Sequence, residues 1–369
     1  MKRVALYISS IGTGGIESCS ISQFVFMDKT QVDVEFLVDS PPLDNFNVKR
    51  IRECGGKITC CFNGIQNAPI KKLLRPFVFL HRVRKGRYDV IHFHISNPTA
   101  LFYALICKCF TRIKVIVSSH AQGVANRSQV FVKLCAFSSN HLSKYCDKRY
   151  ADSVLAGKWM FGNASFEVMV NGIDIKQLRF DINKRTDIRA SLGINKNTIV
   201  IGHVGRFSTD KNHRFIISVF KEFTELNPAS ILLLIGKGEL KESIVDECKK
   251  CGVLEKVRFI ESVPLLAPYY SAMDLFLFPS LREGFGLVAL EAQAASLPVL
   301  ASLNVPGETK QTNLIQYLNL DVSAEEWSKT IQGLLISDKE RIQVDINSLF
   351  KNCDIRSLSE RLVRVYNSI

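Results

Sequence analysis

The stretch DLFLFPSLREGFGLVALEAQA (274–294) reads as one strand, one loop and one helix in succession. DLFLFPS is apolar enough for a strand buried on both faces, and LVALEAQA has the composition of a packed helix. On a single continuous helix, Glu283 and Glu291 would stand roughly 12 Å apart along the axis and about 80° apart around it. They could share neither a proton nor a small ion there. A loop at Gly284-Phe285-Gly286 makes better sense of the spacing, with Glu283 before the helix and Glu291 on its second turn. The amides of Phe285 to Leu287 are then the free N–H groups at a helix start, suited to an anion or a hydroxyl.

Working outward, the same grammar recurs along the chain. RVALYIS, VDVEFLV, YDVIHFH, IKVIVSS, FEVMV, TIVIGHV, SILLLIG, KVRFIE, DLFLFPS and LPVLAS are strand candidates. Helix-length segments such as NHRFIISVFKEFTELN and ELKESIVDECKKCG lie between them, the latter ending on Gly252. Val/Ile/Leu-rich strands alternating with helices predict parallel sheets covered on both faces. The pattern restarts after MVNGIDIKQ (169–177), whose Asn-Gly pair suits a hinge. The expected architecture is α/β: two doubly wound Rossmann-like domains, 1–170 and 171–350, facing across a cleft. A terminal helix in 351–369 is expected to pack back toward the first domain. Ligands of such sheets bind at the carboxyl ends of the strands.

Composition narrows the function. At 369 residues, 47% hydrophobic and 22% charged, the chain is ordinarily globular and long enough for two cores. No apolar run reaches the roughly 18 residues of a membrane span. MKRVALYISS is followed by IGTGGIES rather than a cleavage site, so it reads as a first strand and not a leader. Eleven scattered cysteines include one C-x-x-C pair, Cys248 and Cys251, without the second pair that zinc needs. Reduced thiols in a cytoplasmic protein are the expectation. Charge is lopsided: residues 1–170 carry 23 Lys and Arg against 11 Asp and Glu, and residues 171–369 carry 25 against 24. Within the basic half, KKLLRPFVFLHRVRKGR (71–87) interleaves cations with apolar residues around Pro76, which should start or kink a helix. Lys71, Lys72, Arg75, Arg82, Arg84, Lys85 and Arg87 are the candidate contacts with an anionic membrane surface. No nucleic-acid partner is expected.

Four strand ends carry candidate chemistry. ISSIGTGGIES approximates a dinucleotide glycine loop, with Gly14 and Gly15 placed for backbone approach to a ligand, but Glu17 stands where helix packing wants a small residue. VSSHAQG puts His120 just beyond a strand, and His94 in HFH has a similar but weaker position. IGHVGRFSTDKNHRF sets Arg206 and Lys211 on a loop that opens a helix, as stabilisation of a diphosphate leaving group requires, unless both simply pair with Asp210. In the opening stretch, Glu291 could accept two vicinal ribose hydroxyls, while Glu283 and the amides of Phe285, Gly286 and Leu287 hold a sugar.

GHVGRFSTDKN, LLLIGKGELKE, DLFLFPSLREGFGLVALEAQA and VNGID together resemble the retaining glycosyltransferases of family 4, which have the GT-B fold. The likeness runs from GTGGIE to the terminal helix, and ASLNVPGETKQTNLIQYLNLDVSAEEW looks like the bacterial capsule and exopolysaccharide branch. It implies catalytic roles for His120, Arg206, Lys211 and Glu283 and donor binding by Glu291. A nucleotide sugar, UDP-linked, would be the co-substrate, and a lipid-linked glycan the acceptor, at the cytoplasmic membrane face. No metal is expected, since no Asp-x-Asp triplet is present. The chain departs from the family where LNVPGE replaces the usual Gly-Gly and where Ser296 replaces a glycine. Three other readings compete. A hexosamine-nucleotide epimerase should not need a basic acceptor domain. A nicotinamide dehydrogenase leaves the glutamates unexplained. A non-catalytic membrane-bound partner of a transferase should have lost one of the four charged positions.

Overall fold

In the computed structural model the chain divides into two compact units, Met1–Ile173 with Asn352–Ile369, and Asp174–Lys351. The structure describes every residue except 13, 43–44, 63–67, 124–127, 262 and 351–352, and the backbone alone at 68–73.

Unit 1 contains β1 (Lys2–Ile8), β2 (Val32–Val38), β3 (Lys57–Cys60), β4 (Val90–Ile95), β5 (Lys114–Ser119), β6 (Lys148–Ala151) and β7 (Glu167–Val168). They form one parallel sheet in the order β3-β2-β1-β4-β5-β6-β7. Unit 2 contains β8 (Ile199–Val204), β9 (Ser230–Ile235), β10 (Val257–Ile260), β11 (Leu275–Phe278), β12 (Val299–Ser302) and β13 (Ile315–Leu318). Its sheet, also parallel, has the order β10-β9-β8-β11-β12-β13. Both units are doubly wound, as the alternation of strand and helix predicts. The strand order reverses between β1 and β4 in unit 1 and between β8 and β11 in unit 2. A gap between diverging loops opens at such a reversal, and ligands bind there.

Three strands escape the sequence reading: β3 (KITC), β6 (KRYA) and β13 (IQYL). Each has four residues, and β3 and β13 lie at sheet edges, where water covers part of the strand. They lack the long apolar run that marks a strand buried on both faces. Conversely, FEVMV shrinks to the two-residue edge β7. The helix Ala68–Gly86 runs through Pro76 rather than starting there.

In unit 1, one side of the sheet packs Phe79, Phe93, Tyr103 and Phe161 with their neighbours. The other side packs Phe24, Phe36, Leu362 and Tyr366. The C-terminal helix Ile355–Ser368 thus belongs to this second core: Ser359 Oγ donates to Gln23 O, and Tyr366 OH lies 2.7 Å from His92 Nδ1.

Unit 2 is tied beneath its sheet by polar anchors. Asp274, just before β11, accepts from Arg185 and Arg189 at 2.6 Å each and from the Val200 amide at 2.7 Å. Arg341 is 1% exposed and donates to the carbonyls of Tyr270, Ser271, Met273, Ala295 and Ser296. Ser296 adopts φ 52°, the left-handed conformation that favours glycine, which gives the family's glycine there a backbone reason.

Candidate donor site and its companion in unit 1

The β8–β9 register, running from Ile199↔Ser230 to Val204↔Ile235, brings the loops after the two strands side by side. Gly205 N donates to Ile235 O at 3.0 Å, and Phe207 N to Lys237 O at 2.9 Å. Gly236 has φ 153°, and a Cβ built on it would stand 2.0 Å from Gly205 O. The backbone that presents Arg206 therefore requires a glycine at 236. Gly236→Ala is expected to destabilise the protein by about 1–3 kcal/mol, through a strained backbone and a displaced Arg206 loop. A thermal midpoint equal to that of the wild type would contradict this. Arg206 itself is 72% exposed and pairs with Glu239 at 3.0 Å, within the GKGEL turn after β9.

Lys211 ends a short 3-10 turn, Thr209–Lys211, and Asn212 at φ 56° turns the chain into the helix His213–Leu226. Its ammonium is ion-paired with Glu283 and lies 5.1 Å from the centre of the Phe278 ring. The two side chains are only 20% and 10% exposed. Neither Arg206 nor Lys211 uses Asp210, which instead lies 3.6 Å from Arg282. The expected glutamate–cation constellation is thus internally connected: Glu283, from the loop after β11, holds the cation from the loop after β8.

The helix Leu287–Ala294 begins where the glycine loop predicts. Gly286 precedes it at φ 93°, with room above Phe278 and Val305 that a side chain would fill (a Cβ would lie 3.1 and 3.3 Å away). The helix start has no side-chain cap. Its first N–H groups have no partner within the helix. Phe285 is buried, and its carbonyl accepts from Thr309 Oγ1, so only its amide is available to a ligand. Glu291 lies one turn further on and accepts from Tyr270 OH at 2.8 Å. Burial pushes its carboxyl up to about 7, against the opposing pull of the Tyr270 hydrogen bond. Tyr270 uses one of its oxygens, and an ionised carboxylate has further lone pairs with which to accept from a diol.

The remaining candidates sit in unit 1. His120 follows β5; its Nε2 is 3.1 Å from His94 Nδ1, and its Nδ1 is 3.4 Å from Asp152. The His94 and His120 rings stack at 5.3 Å. Burial drives the His94 imidazole well below its usual range, keeping it neutral. Sequence reading missed Asp152, which follows the overlooked strand β6. Gly14 caps the helix Gly15–Phe26 in extended conformation, and a Cβ on Gly15 would meet nothing within 4 Å. A Cβ on Gly14 would stand 2.6 Å from Glu17 Oε2, so that carboxylate would have to shift, whereas nothing in the chain's own packing demands Gly15. Beside them, at the β1/β4 reversal, lies a cavity of about 470 Å³ lined by Tyr7, Glu17, Asp39, Arg75, His94 and Asn97 among others. Arg75 pairs with Asp39, which also accepts from Tyr7 OH at 2.8 Å. Its charge is therefore answered at the cavity wall, while 41% of its side chain stays exposed.

Of the other basic residues named above, Lys71 and Lys72 have side chains outside the described residues. Arg84 is exposed and donates to Phe110 O at 3.0 Å. Lys85 and Arg87 are exposed and Arg82 is half-buried. No helix among the described residues is long and apolar enough to cross a membrane. Nor do the described residues contain a group of three or more His, Cys, Asp or Glu side chains able to hold a metal ion. All eleven cysteines are free thiols.

Cations, an uncapped helix start and a half-buried carboxylate thus gather near the reversal point of unit 2. Residues 184–352, which span most of unit 2, match the family described as Glycosyl transferases group 1. Over 89% of the chain and 87% of the relative it is 26% identical to the putative glycosyltransferase EpsF of Bacillus subtilis. It is 24% identical, over 79% of its length and 77% of the relative, to an Escherichia coli enzyme, UDP-Gal:alpha-D-GlcNAc-diphosphoundecaprenol alpha-1,3-galactosyltransferase. Its structure superposes on that of Anabaena Alr3699/HepE in complex with UDP and glucose with a TM-score of 0.82, at 18% identity and over the full length of both chains. The last likeness is one of fold, and the fold is the GT-B class that the sequence implies.

Proposed function

We propose that the protein moves a hexose from a UDP-sugar to a hydroxyl of a lipid-linked glycan in capsule or exopolysaccharide synthesis, with retention of configuration. The observation that carries this reading is the Lys211–Glu283 ion pair at the β8/β11 reversal, with Arg206 on the loop after β8, Glu291 on the helix after the glycine loop, and an uncapped helix start beside them. The donor and acceptor in the name of the Escherichia coli relative, UDP-Gal and a diphosphoundecaprenol-linked sugar, support the choice of substrates. In the reaction the bond from the anomeric carbon to the diphosphate breaks and its electron pair leaves with the diphosphate. The acceptor oxygen bonds to the anomeric carbon in its place and gives its proton to the departing diphosphate oxygen. Negative charge on the departing oxygen is the main obstacle. Arg206, Lys211 and the first amides of Leu287–Ala294 answer it with donors already in position. Lys211 passes from Glu283 to the diphosphate as the donor binds, which frees Glu283 to accept from hydroxyls of the transferred sugar. Glu291 takes the ribose diol. His120, held by His94 and Asp152, is the candidate catalytic histidine of unit 1, and the cavity beside it takes the acceptor. The protein works in the cytoplasm, peripherally at the membrane.

Two cations in these positions supply the charge that a divalent ion would otherwise bring. Transfer is therefore expected to persist in excess chelator; activity that disappears and returns with magnesium or manganese would overturn this. A thermal-shift comparison of nucleoside diphosphates tests the donor. Saturating UDP, at about 100 times its Kd, should stabilise the fold by about 2.7 kcal/mol. A larger shift with GDP, ADP or dTDP would replace UDP in the reading.

A further inference from the structure

The helices on the two sides of the unit 1 sheet differ in a way that packing does not require. Ala68–Gly86, Leu101–Phe110, Gln129–Leu142 and Val154–Phe161 cover one side and carry nine Lys and Arg without an Asp or Glu of their own, although Arg75 and Lys108 pair with Asp39 and Asp147 from elsewhere in the unit. The helices opposite, Gly15–Phe26, Phe46–Glu53 and Ile355–Ser368, include Glu17, Glu53 and Glu360. The acid-free helices are contiguous, since Leu101–Phe110 packs against both Ala68–Gly86 and Gln129–Leu142, and the last also meets Val154–Phe161.

Large apolar side chains stand out from the same layer. Val130, Leu134 and Phe137 are 77%, 51% and 55% exposed. Their spacing of four and then three residues makes them one stripe of the helix Gln129–Leu142. Phe77 and Phe102, at 69% and 45%, extend the apolar surface onto the neighbouring helices. Single exposed apolar residues are ordinary on a soluble protein, but a row of them on an acid-free basic layer is not. An anionic bilayer offers the complement to both properties: headgroups for the cations, and the acyl boundary for the stripe.

We propose that Gln129–Leu142 is a membrane-insertion element, its Val130, Leu134 and Phe137 stripe entering the headgroup–acyl boundary while Lys133, Arg84 and Lys85 rest on anionic headgroups. This rests on the reading of the protein as a peripheral membrane enzyme and adds a component that salt does not screen. Either signal alone gives marginal, reversible attachment, and the two together hold the protein at the surface.

The test uses the full chain with vesicles of phosphatidylglycerol and phosphatidylethanolamine, and with neutral phosphatidylcholine vesicles as the comparison. The Phe137→Trp variant should gain emission, relative to the wild type, that shifts blue on anionic vesicles and is quenched by lipids brominated in the acyl chain. A variant with Val130→Ser, Leu134→Ser and Phe137→Ser should partition at least about tenfold less, with thermal stability and the UDP-induced shift unchanged. Part of wild-type binding should survive salt that abolishes the effect of Arg84→Glu with Lys85→Glu. Binding to anionic vesicles without quenching of the added tryptophan overturns insertion and leaves electrostatic membrane attachment standing. Loss of binding on charge reversal, with the serine variant equal to the wild type, does the same. Failure to bind either vesicle overturns both, while the nucleotide shift still reports separately on the transferase reading. Dissociation of a dimer by the serine substitutions, without any lipid effect, would assign the stripe to a second copy of the chain and overturn the proposal.

Discussion

Sugar transfer is expected to fall by at least about a hundredfold when Lys211 becomes alanine, and comparably when Arg206 does, because each removes a fixed donor from the leaving diphosphate. The two variants should part company in stability. Arg206 is 72% exposed and its partner Glu239 56%, so that pair contributes no more than about 1 kcal/mol to the fold. Lys211 and Glu283 are 20% and 10% exposed. Removing the lysine leaves a poorly hydrated carboxylate without its cation, at a cost on the order of 1–3 kcal/mol. A sequence reading that treats both residues as exposed cations expects no such difference. Adding Glu283→Gln to Lys211→Ala should recover most of the lost stability and none of the transfer. Turnover near the wild-type level in Arg206→Ala, measured with a nucleotide sugar and a lipid-linked acceptor, would remove the diphosphate role from that residue.

The fold was legible because a strand buried on both faces is largely apolar, as RVALYIS, IKVIVSS, TIVIGHV, SILLLIG and DLFLFPS are. The three that were not legible, β3, β6 and β13, have four residues each, and their short length hides the period that identifies a strand. Each candidate charge could be found because glycine loops and strand ends mark where a doubly wound sheet places its chemistry. Their mutual contacts could not. Lys211 and Glu283 are 72 positions apart, Tyr270 and Glu291 are 21 apart, and nothing local in either segment signals the pairing. Asp152 was missed for a related reason: it follows β6, and an unseen strand has no carboxyl end to inspect. Glu239 was in view within LLLIGKGELKE, but its use depends on the β8–β9 register that brings the two loops together. Arg75 makes a contact of the same kind: Asp39, 36 residues earlier, pairs with it at the cavity of the β1/β4 reversal, and nothing in the basic run signals this.

Glu291→Gln should weaken binding of free UDP by roughly ten- to a hundredfold, since a neutral amide replaces a carboxylate that accepts two ribose hydroxyls. The acid–base state of Glu291 gives this variant a second signature. Burial lifts its carboxyl from the ordinary 4.5 to about 7, so near neutral pH a large share of the free protein carries it protonated. Only the ionised form accepts from both hydroxyls. Affinity for UDP in the wild type should therefore rise as pH increases through about 7, with a proton released on binding, and Glu291→Gln should lose that dependence. Stability runs the other way. The folded state binds the Glu291 proton more tightly than the unfolded state does, so its contribution is full below about pH 4.5 and is lost as pH rises through about 7. Unliganded Glu291→Gln should accordingly match the wild type near pH 4.5 and exceed it at pH 8, by on the order of 2–3 kcal/mol. Glu283→Gln makes the contrast: it releases Lys211 to the diphosphate, so free UDP should bind at least as tightly as in the wild type while transfer collapses. Titration calorimetry at pH 6 and pH 8 separates these outcomes. Equal losses of UDP affinity in both variants would dissolve the division of ribose and sugar between the two glutamates, and a pH-independent wild type would remove the ribose from Glu291.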